Sequence, residues 1–450
     1  MSMRETRRGF LRKSFVAAGA ATVLGARRGP FALAAPSPSE KLGVAVIGAG
    51  GMGGYSVGCA LSERLVALAD IDENTLGNVM NDVKGKLKEG TPLPRTFVDY
   101  RKMFDECHKD IDVVLIATPD HHHAPAAMRA INLGKDVFCQ KPLAHDIAEC
   151  YALAKAAKEK RVLTQMGNQG HCSEEIRRVC EYIWAGAIGD VTETHTILGR
   201  NFGGKGGRPP SKPVPKGVHW DEWIGPAPTR EYHDGLHPFS WRSWRLFGTG
   251  TIGDMACHHL DALFWALKIG EATTWTVESL STTGGSDEYY AQDNVVRYEV
   301  PARGAMPPVK VYVYDHEGVK PQAMKDAEAK YNRKFGEFTL FVGAKGLMGT
   351  DARLIPEERH KEFPEPPRTI PRARGGPIED LFHARRNDGT PCSNFPDSAA
   401  PLTAFALAGH LAMFAGAGKK LEWDVASMRC TNAPEIDKFV AREYRKGWEL

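Results

Sequence analysis

The spacing of apolar positions changes once along the chain. Up to about residue 166, short uninterrupted apolar runs recur: Leu42–Ile47, Leu65–Ala69, Asp112–Ala117, Asp136–Cys139 and Val162–Gln165. Runs of this length, apolar on both faces, read as buried parallel strands. Helical stretches separate them: Gly53 to about Ser62, Ala124–Leu133 and Ile147–Lys158. Strands alternating with helices of this length predict a doubly wound parallel sheet. Beyond residue 167 the pattern differs. Glu175–Ala185 is helical, and Val191–Leu198 then alternates, with Val191, Glu193 and His195 on one face and Thr192, Thr194 and Thr196 on the other. Thr274–Leu280, Val295–Val300, Val309–Tyr314 and Phe338–Val342 are further strand candidates. Strands now dominate, which predicts an α+β domain with an open, largely antiparallel sheet. The expected division is a first domain over 41–166 and a second over 167–450. The stretches 200–217 and 353–376, rich in Gly, Pro and Lys or in Pro, read as loops.

The first apolar run ends in Gly48-Ala49-Gly50-Gly51-Met52-Gly53, a G-x-G-x-x-G that opens a helix. The second run ends at Asp70, 22 residues after Gly48. Strand, glycines, helix, strand and terminal acid in this order describe a dinucleotide-binding Rossmann domain. Gly48 makes the tight turn, and Gly50 lets the backbone approach a pyrophosphate seated over Gly51 and Met52 at the helix N-terminus. Gly53 lets helix and strand pack closely. Asp70 accepts hydrogen bonds from the adenosine ribose. Ile71 and Asp72 follow it, with no Arg or Lys to receive a 2′-phosphate, so NAD is expected over NADP. Ligands bind off the carboxyl ends of such strands, where two loops carry chemistry: Thr118-Pro119-Asp120-His121-His122-His123 and Gln140-Lys141-Pro142.

Gly248 to Asp261 opens a helix led in by glycines, with Leu260, Phe264 and Leu267 as its apolar stripe and with Asp254 and His258 four apart and so on one face. An Asp beside a His suits oxidation of a secondary alcohol: the imidazole takes the hydroxyl proton while hydride leaves, and the carboxylate holds and tunes the ring. The alternative is a capping Asp and a core His. Residues 220–247 hold Trp220, Trp223, Trp241 and Trp244, with Phe239, Arg242 and Arg245 among them. Such rings either pack a core or stack on sugar C–H faces, with Arg reaching hydroxyls. Trp241 and Arg242 are therefore substrate candidates, as are Asn168 and Gln169, with His171, after a strand end. His259 is either a substrate contact or structural.

The glycine fingerprint, Thr-Pro-Asp-x-x-His at 118–123 and Cys-Gln-Lys-Pro-Leu at 139–143 resemble the Gfo/Idh/MocA oxidoreductases, from about residue 41 to the end. The resemblance implies an NAD(P)-dependent oxidoreductase in which Lys141 contacts the reacting hydroxyl. It also implies that Pro119 and His123 lie near the nicotinamide, on the loops that include Thr118 and Gln140, and that Asp254 and His258 are the catalytic pair. The usual motifs of that family are Thr-Pro-Asn and Glu-Lys-Pro. Here Asp120 and Gln140 replace the Asn and the Glu. A homo-oligomer is expected.

Composition narrows the class. With 42% hydrophobic and 25% charged residues the chain is an ordinary globular protein. Its net charge is +3, but residues 1–34 carry +6 and the remainder −3. A mildly acidic body argues against a nucleic-acid or membrane-surface binder. Arg7-Arg8, a short apolar run from Phe15 to Ala26 and the small-residue site Ala32-Leu33-Ala34 read as a twin-arginine signal peptide over 1–35. That implies export of a folded, cofactor-loaded protein to the periplasm, with no membrane span after processing. The nine cysteines form no Cys-x-x-Cys, so neither a disulfide scaffold nor a zinc module is signalled, and no metal is expected. Consecutive histidines on a helix diverge by about 100° and do not gather as ligands. Three functions stay open: NAD-dependent oxidation or reduction of a sugar, polyol or glycoside; redox-neutral glycoside cleavage through a transiently oxidised hydroxyl; and non-catalytic sugar binding. Lys141, Asp254 and His258 together argue against the third.

Overall fold

The computed structural model describes residues 41–204, 207–315, 320–334 and 339–450. The twin-arginine segment lies outside the described residues.

The first six strands are β1 (Gly43–Ile47), β2 (Arg64–Ala69), β3 (Arg95–Phe97), β4 (Val113–Ile116), β5 (Asp136–Cys139) and β6 (Thr164–Met166). They form one parallel sheet in the order β3-β2-β1-β4-β5-β6. Every residue of β1, β4 and β5 is buried, because helices cover both faces. The chain order reverses between β1 and β4, and the crevice beyond their carboxyl ends is where such sheets bind ligands. β3 and the helices Glu73–Lys86 and Tyr100–Cys107 complete the alternation between β2 and β4.

The second sheet has nine strands: β7 (Val191–Ile197), β8 (Thr274–Gly284), β9 (Ala291–Val300), β10 (Val309–Asp315), β11 (Thr339–Gly343), β12 (Gly346–Met348), β13 (Leu354–Ile355), β14 (Lys420–Asp424) and β15 (Arg429–Cys430). Its order is β13-β12-β11-β7-β10-β9-β8-β14-β15. Among the described residues of this sheet only β7 and β10 pair in parallel. The expected open, largely antiparallel sheet is therefore present. Phe338, placed at the start of one expected strand, lies outside the described residues. The 353–376 stretch is not all loop, since β13 and the helix Glu357–Glu362 lie inside it.

Late segments return to the first sheet. The helix Pro377–Arg386 buries Ile378, Leu381 and Phe382 against Val44, Val46, Leu115 and Phe138. Ser393 O accepts Met166 N at 2.9 Å. The apolar helical stretch Phe395–Ala415 is long and apolar enough to cross a membrane, but 78% of its most apolar 18 residues are buried inside the protein. It packs on the helices Ile147–Lys160 and Gly250–His259 and on β8, so apolar side chains are needed on several of its faces. All nine cysteines are free thiols, six of them buried.

Candidate active site

A cavity of about 1120 Å³ opens at the carboxyl ends of β1, β2, β4 and β5. Its first wall is the glycine loop. Gly48 has φ +79° and packs so tightly on the β4 end that a Cβ would stand 2.7 Å from Ala117 O. A Cβ on Gly53 would stand 1.9 Å from Gly48 O, so only glycine closes the loop onto its helix. Gly48, Gly50, Gly51 and Met52 line the cavity, while Gly53 serves packing alone. No side chain caps the N-terminus of the helix Gly53–Ala60. Asp70 lines the cavity at the end of β2. Its Oδ2 accepts Ala49 N at 2.8 Å and Gly50 N at 3.2 Å, and its Oδ1 accepts Asp72 N at 3.1 Å. Burial pushes the carboxyl pKa up, and these three N–H groups oppose the rise. Each carboxylate oxygen keeps a further lone pair for a ribose hydroxyl.

The second wall joins the ends of β4 and β5. Thr118, Pro119 and Asp120 come from one, Gln140 and Lys141 from the other. Thr118 Oγ1 and Gln140 Nε2 are buried without a hydrogen-bond partner among the described residues. Orphaned donors in a cavity wall fit a polar ligand that supplies acceptors. With the glycine loop and Asp70 in the same cavity, the residues present fit a nicotinamide dinucleotide: pyrophosphate over Gly50–Met52, ribose at Asp70, nicotinamide near Thr118, Pro119, Gln140 and Lys141.

The third wall is the helix Gly250–His259, which presents Asp254, Met255 and His258. It is shorter than expected, because the chain turns at Leu260 into a second helix, Asp261–Ala266. Lys141 Nζ donates to Asp254 Oδ1 at 2.8 Å and to Asp254 O at 3.0 Å. Arg242 Nε donates to the same Oδ1 at 3.3 Å. The expectation that Asp254 holds the His258 ring is thus corrected: its hydrogen bonds go to Lys141 and Arg242, and it reaches His258 through charge. His258 is pushed down to about 4, first by burial and then by the Lys141 cation, with Asp254 opposing. At neutral pH it is a neutral imidazole with a lone pair to offer.

Of the tryptophans at 220–244, Trp223 and Trp241 line the cavity, and Trp223 and Trp244 lie in a buried cluster with Phe247 and Leu236. Packing and lining therefore both hold. Arg242 sits with its guanidinium 4.3 Å from the centres of both Phe239 and Trp241. Gln169 lines the cavity.

Five expected contacts fall elsewhere. His123 is buried outside the lining, its Nδ1 2.7 Å from Pro142 O and its Nε2 3.0 Å from Thr118 O. It ties the two loops together from behind. Asn168 is buried between Asp261 Oδ2, 2.9 Å from its Nδ2, and Ser393 Oγ, which donates to its Oδ1 at 2.8 Å. His171 binds Asp261 Oδ1 at 2.8 Å and stacks on Trp265. His259 is not among the lining residues, and its backbone carbonyl accepts Thr339 Oγ1 at 2.9 Å. Arg245 turns to Phe414. No metal-ligand cluster forms among the described residues.

Sequence reasoning missed Phe202 and Trp448 as lining residues, and it named Asp120 and Phe239 without giving either a role. Asp120 was legible from its loop, at a strand end. Trp448 was not, because it reaches the cavity only through long-range packing against Arg101 and His122.

Comparison with known proteins agrees with this geometry. Residues 42–168 match the family model described as an oxidoreductase family with an NAD-binding Rossmann fold, and residues 195–289 match that family's C-terminal alpha/beta domain. A levoglucosan dehydrogenase of Pseudarthrobacter phenanthrenivorans is 28% identical over 195 residues, 42% of each chain. An inositol 2-dehydrogenase of Rubrobacter xylanophilus is 31% identical over 157 residues, 34% of this chain and 42% of the relative. The match thus spans less than half the length of these curated relatives. A WlbA dehydrogenase of Bordetella pertussis, solved with NADH and UDP-GlcNAcA, superposes with a TM-score of 0.57 at 15% identity. That superposition covers 85% of this chain and 98% of the other, and it shows the shared fold. Glycine loop, strand-end acid, Lys141 loop and second-domain sheet together place the chain in the Gfo/Idh/MocA oxidoreductase family.

Proposed function

We propose that the protein is an NAD-dependent oxidoreductase that moves hydride between the cofactor and a secondary alcohol of a sugar, polyol or glycoside. The observation that carries this reading is the 2.8 Å Lys141–Asp254 ion pair, with His258 on the same helix, in one cavity with the glycine loop and Asp70. Bound NAD supplies a hydride acceptor. Lys141, anchored by Asp254 and by the Asp254 carbonyl, donates a hydrogen bond to the reacting oxygen. Neutral His258 takes the hydroxyl proton, and the Asp254 charge favours the imidazolium so formed. Arg242, Trp241 and Phe239 supply a polar edge and apolar faces that suit a ring bearing hydroxyls.

The Arg7-Arg8 leader supports an extension of this reading to a compartment outside the cytoplasmic membrane. Such a compartment is expected to lack a free NAD pool, so the cofactor loaded before export stays bound. The cycle then closes on one bound nucleotide, through a second carbonyl substrate or by return of hydride to the same substrate. The test is to purify the exported protein without added nucleotide and assay it with a panel of sugars, polyols and glycosides. Retained NAD, with turnover that needs none added, is the expected result. Empty protein that reduces added NAD stoichiometrically removes the closed cycle and leaves a dehydrogenase. No spectral change of bound nucleotide with any alcohol overturns the oxidoreductase reading.

A further inference from the structure

Asp120 takes no part in the reaction derived above. It stands at the first turn after β4, in the cavity wall beside Pro119, and is 1% exposed. Its Oδ2 accepts Thr249 Oγ1 at 2.7 Å, and Thr249 directly precedes the helix that carries Asp254 and His258. Among the described residues no cation makes an ion pair with it. The groups that face it electrically are Asp254 from that helix, Arg242 from the Trp241 turn and Lys141 from the β5 loop. Cys139 and Tyr290 feel its charge from the core side. Both cations are already within hydrogen-bond distance of Asp254. Asp120 is thus a buried carboxyl beside a better-paired one, held by a single neutral donor. Burial and the Asp254 charge push it up to about 7. The neighbouring wall residue is the neutral Gln140, so Asp120 supplies the one carboxyl between the two loops that would hold the nicotinamide.

We propose that Asp120 is a proton-exchanging residue of this site, ionised when the cavity holds the positively charged oxidised nicotinamide and protonated when it holds the neutral reduced ring. This rests on the NAD reading of the cavity. In a low-dielectric pocket a positive ring favours the carboxylate, and its loss favours the acid. Oxidation of a secondary alcohol breaks one C–H and one O–H bond. The hydride and its electron pair pass to the nicotinamide, and the hydroxyl proton is retained on Asp120 once His258 has released it. The net change turns alcohol, oxidised nucleotide and Asp120 carboxylate into carbonyl, reduced nucleotide and Asp120 carboxylic acid. Charge inside the cavity is then the same before and after hydride transfer, so no proton has to cross to solvent within the turnover.

The test is an infrared difference spectrum between protein loaded with NADH and protein loaded with NAD at pH 7, with no sugar present. A protonated-carboxyl stretch that appears with NADH and is absent in Asp120→Asn is the expected result. The variant is close to isosteric, and its amide oxygen can still accept from Thr249. Loading is checked by absorbance. No such band in the wild type, or an undiminished band in D120N, overturns the proposal. Thr249→Val gives a second reading if D120N does not fold. Loss of the donor should raise the pH at which the band is half lost by about one unit, and an unmoved midpoint also overturns the proposal. Because the band needs nucleotide alone, a failed sugar assay with the band present counts against the substrate reading and leaves Asp120 assigned.

Discussion

Lys141 and Asp254 stand 113 residues apart in the chain and 2.8 Å apart in space. The pair is 16% and 7% exposed, so water competes little with it. Lys141→Ala and His258→Ala should each lower turnover by about 10²–10⁴-fold while nucleotide stays bound, because neither belongs to the phosphate loop. Steady-state rates and nucleotide content measure this, and near-wild-type rates in either variant would remove that residue from the site. Asp254→Asn has a signed consequence. It removes the negative charge that favours the His258 imidazolium and leaves the Lys141 and Arg242 cations unopposed, so the apparent pKa of the base should fall along with the rate. A pH–rate profile that keeps its midpoint would sink that role. Asp70 faces the ribose position with its carboxylate fixed by three backbone N–H groups. A 2′-phosphate there meets like charge, so NAD should bind more tightly than NADP in titrations of nucleotide-free protein.

At the scale of elements, the glycine loop shows the narrowest tolerance. Gly53→Ala forces its Cβ to 1.9 Å from Gly48 O, a backbone atom that cannot rotate away. The helix must then lift from β1, and nucleotide affinity and thermal stability should fall together. Isothermal titration and a melting curve check this, and unchanged affinity would show that the loop is not the phosphate seat. The elements that sequence patterning identified were those with a regular repeat, such as β1, β4 and β9. β3 has three residues, none of them buried, so it leaves almost no pattern. The helix Ala400–Ala415 leaves no clear stripe because several of its faces are covered. The helix expected to run from Gly248 past Leu260 stops at His259, and Asp261 just beyond is held by Asn168 and His171 from another element, an influence no local window contains.

For the molecule as a whole, burial sets the response to acid. His121, His122, His123, His145, His258 and His410 are all held below the ordinary imidazole value, first of all by burial. Of these, His123 and His258 are placed at about 4, and His122 and His410 at about 3. In the unfolded chain they take protons from about pH 6.5 downward, while the folded protein does not. Their contribution is intact above pH 6.5 and is lost as pH falls toward 4. Asp120, Asp146 and Asp315 are raised by burial and act with the opposite sign, holding protons in the folded state that the unfolded state gives up above about 4. The histidines outnumber them. Stability should therefore fall as pH drops from 6.5 to 4, by about 1.4 kcal/mol per pH unit for each histidine left uncompensated. Melting temperatures across pH 8 to 4.5 measure the trend, and a flat or rising melting temperature on acidification would refute it.

What the chain determined by itself is what nearest neighbours can encode. The spacing from Gly48 to Gly53, the apolar run before it and the acid at Asp70 are one local unit, because a strand, a tight turn and a helix start need specific residues at fixed short distances. The same holds for Asp120, Gln140 and Lys141, which sit at strand ends wherever the strands go. Only the tertiary structure decided which groups meet. It assigned Asp254 to Lys141 and Arg242 rather than to a bond with His258. It also left His123, Asn168 and His259 out of the cavity lining and brought Trp448 into it. A buried polar side chain takes whichever partner lies within about 3 Å, and that partner is set by packing between separate elements, which no spacing along the chain records.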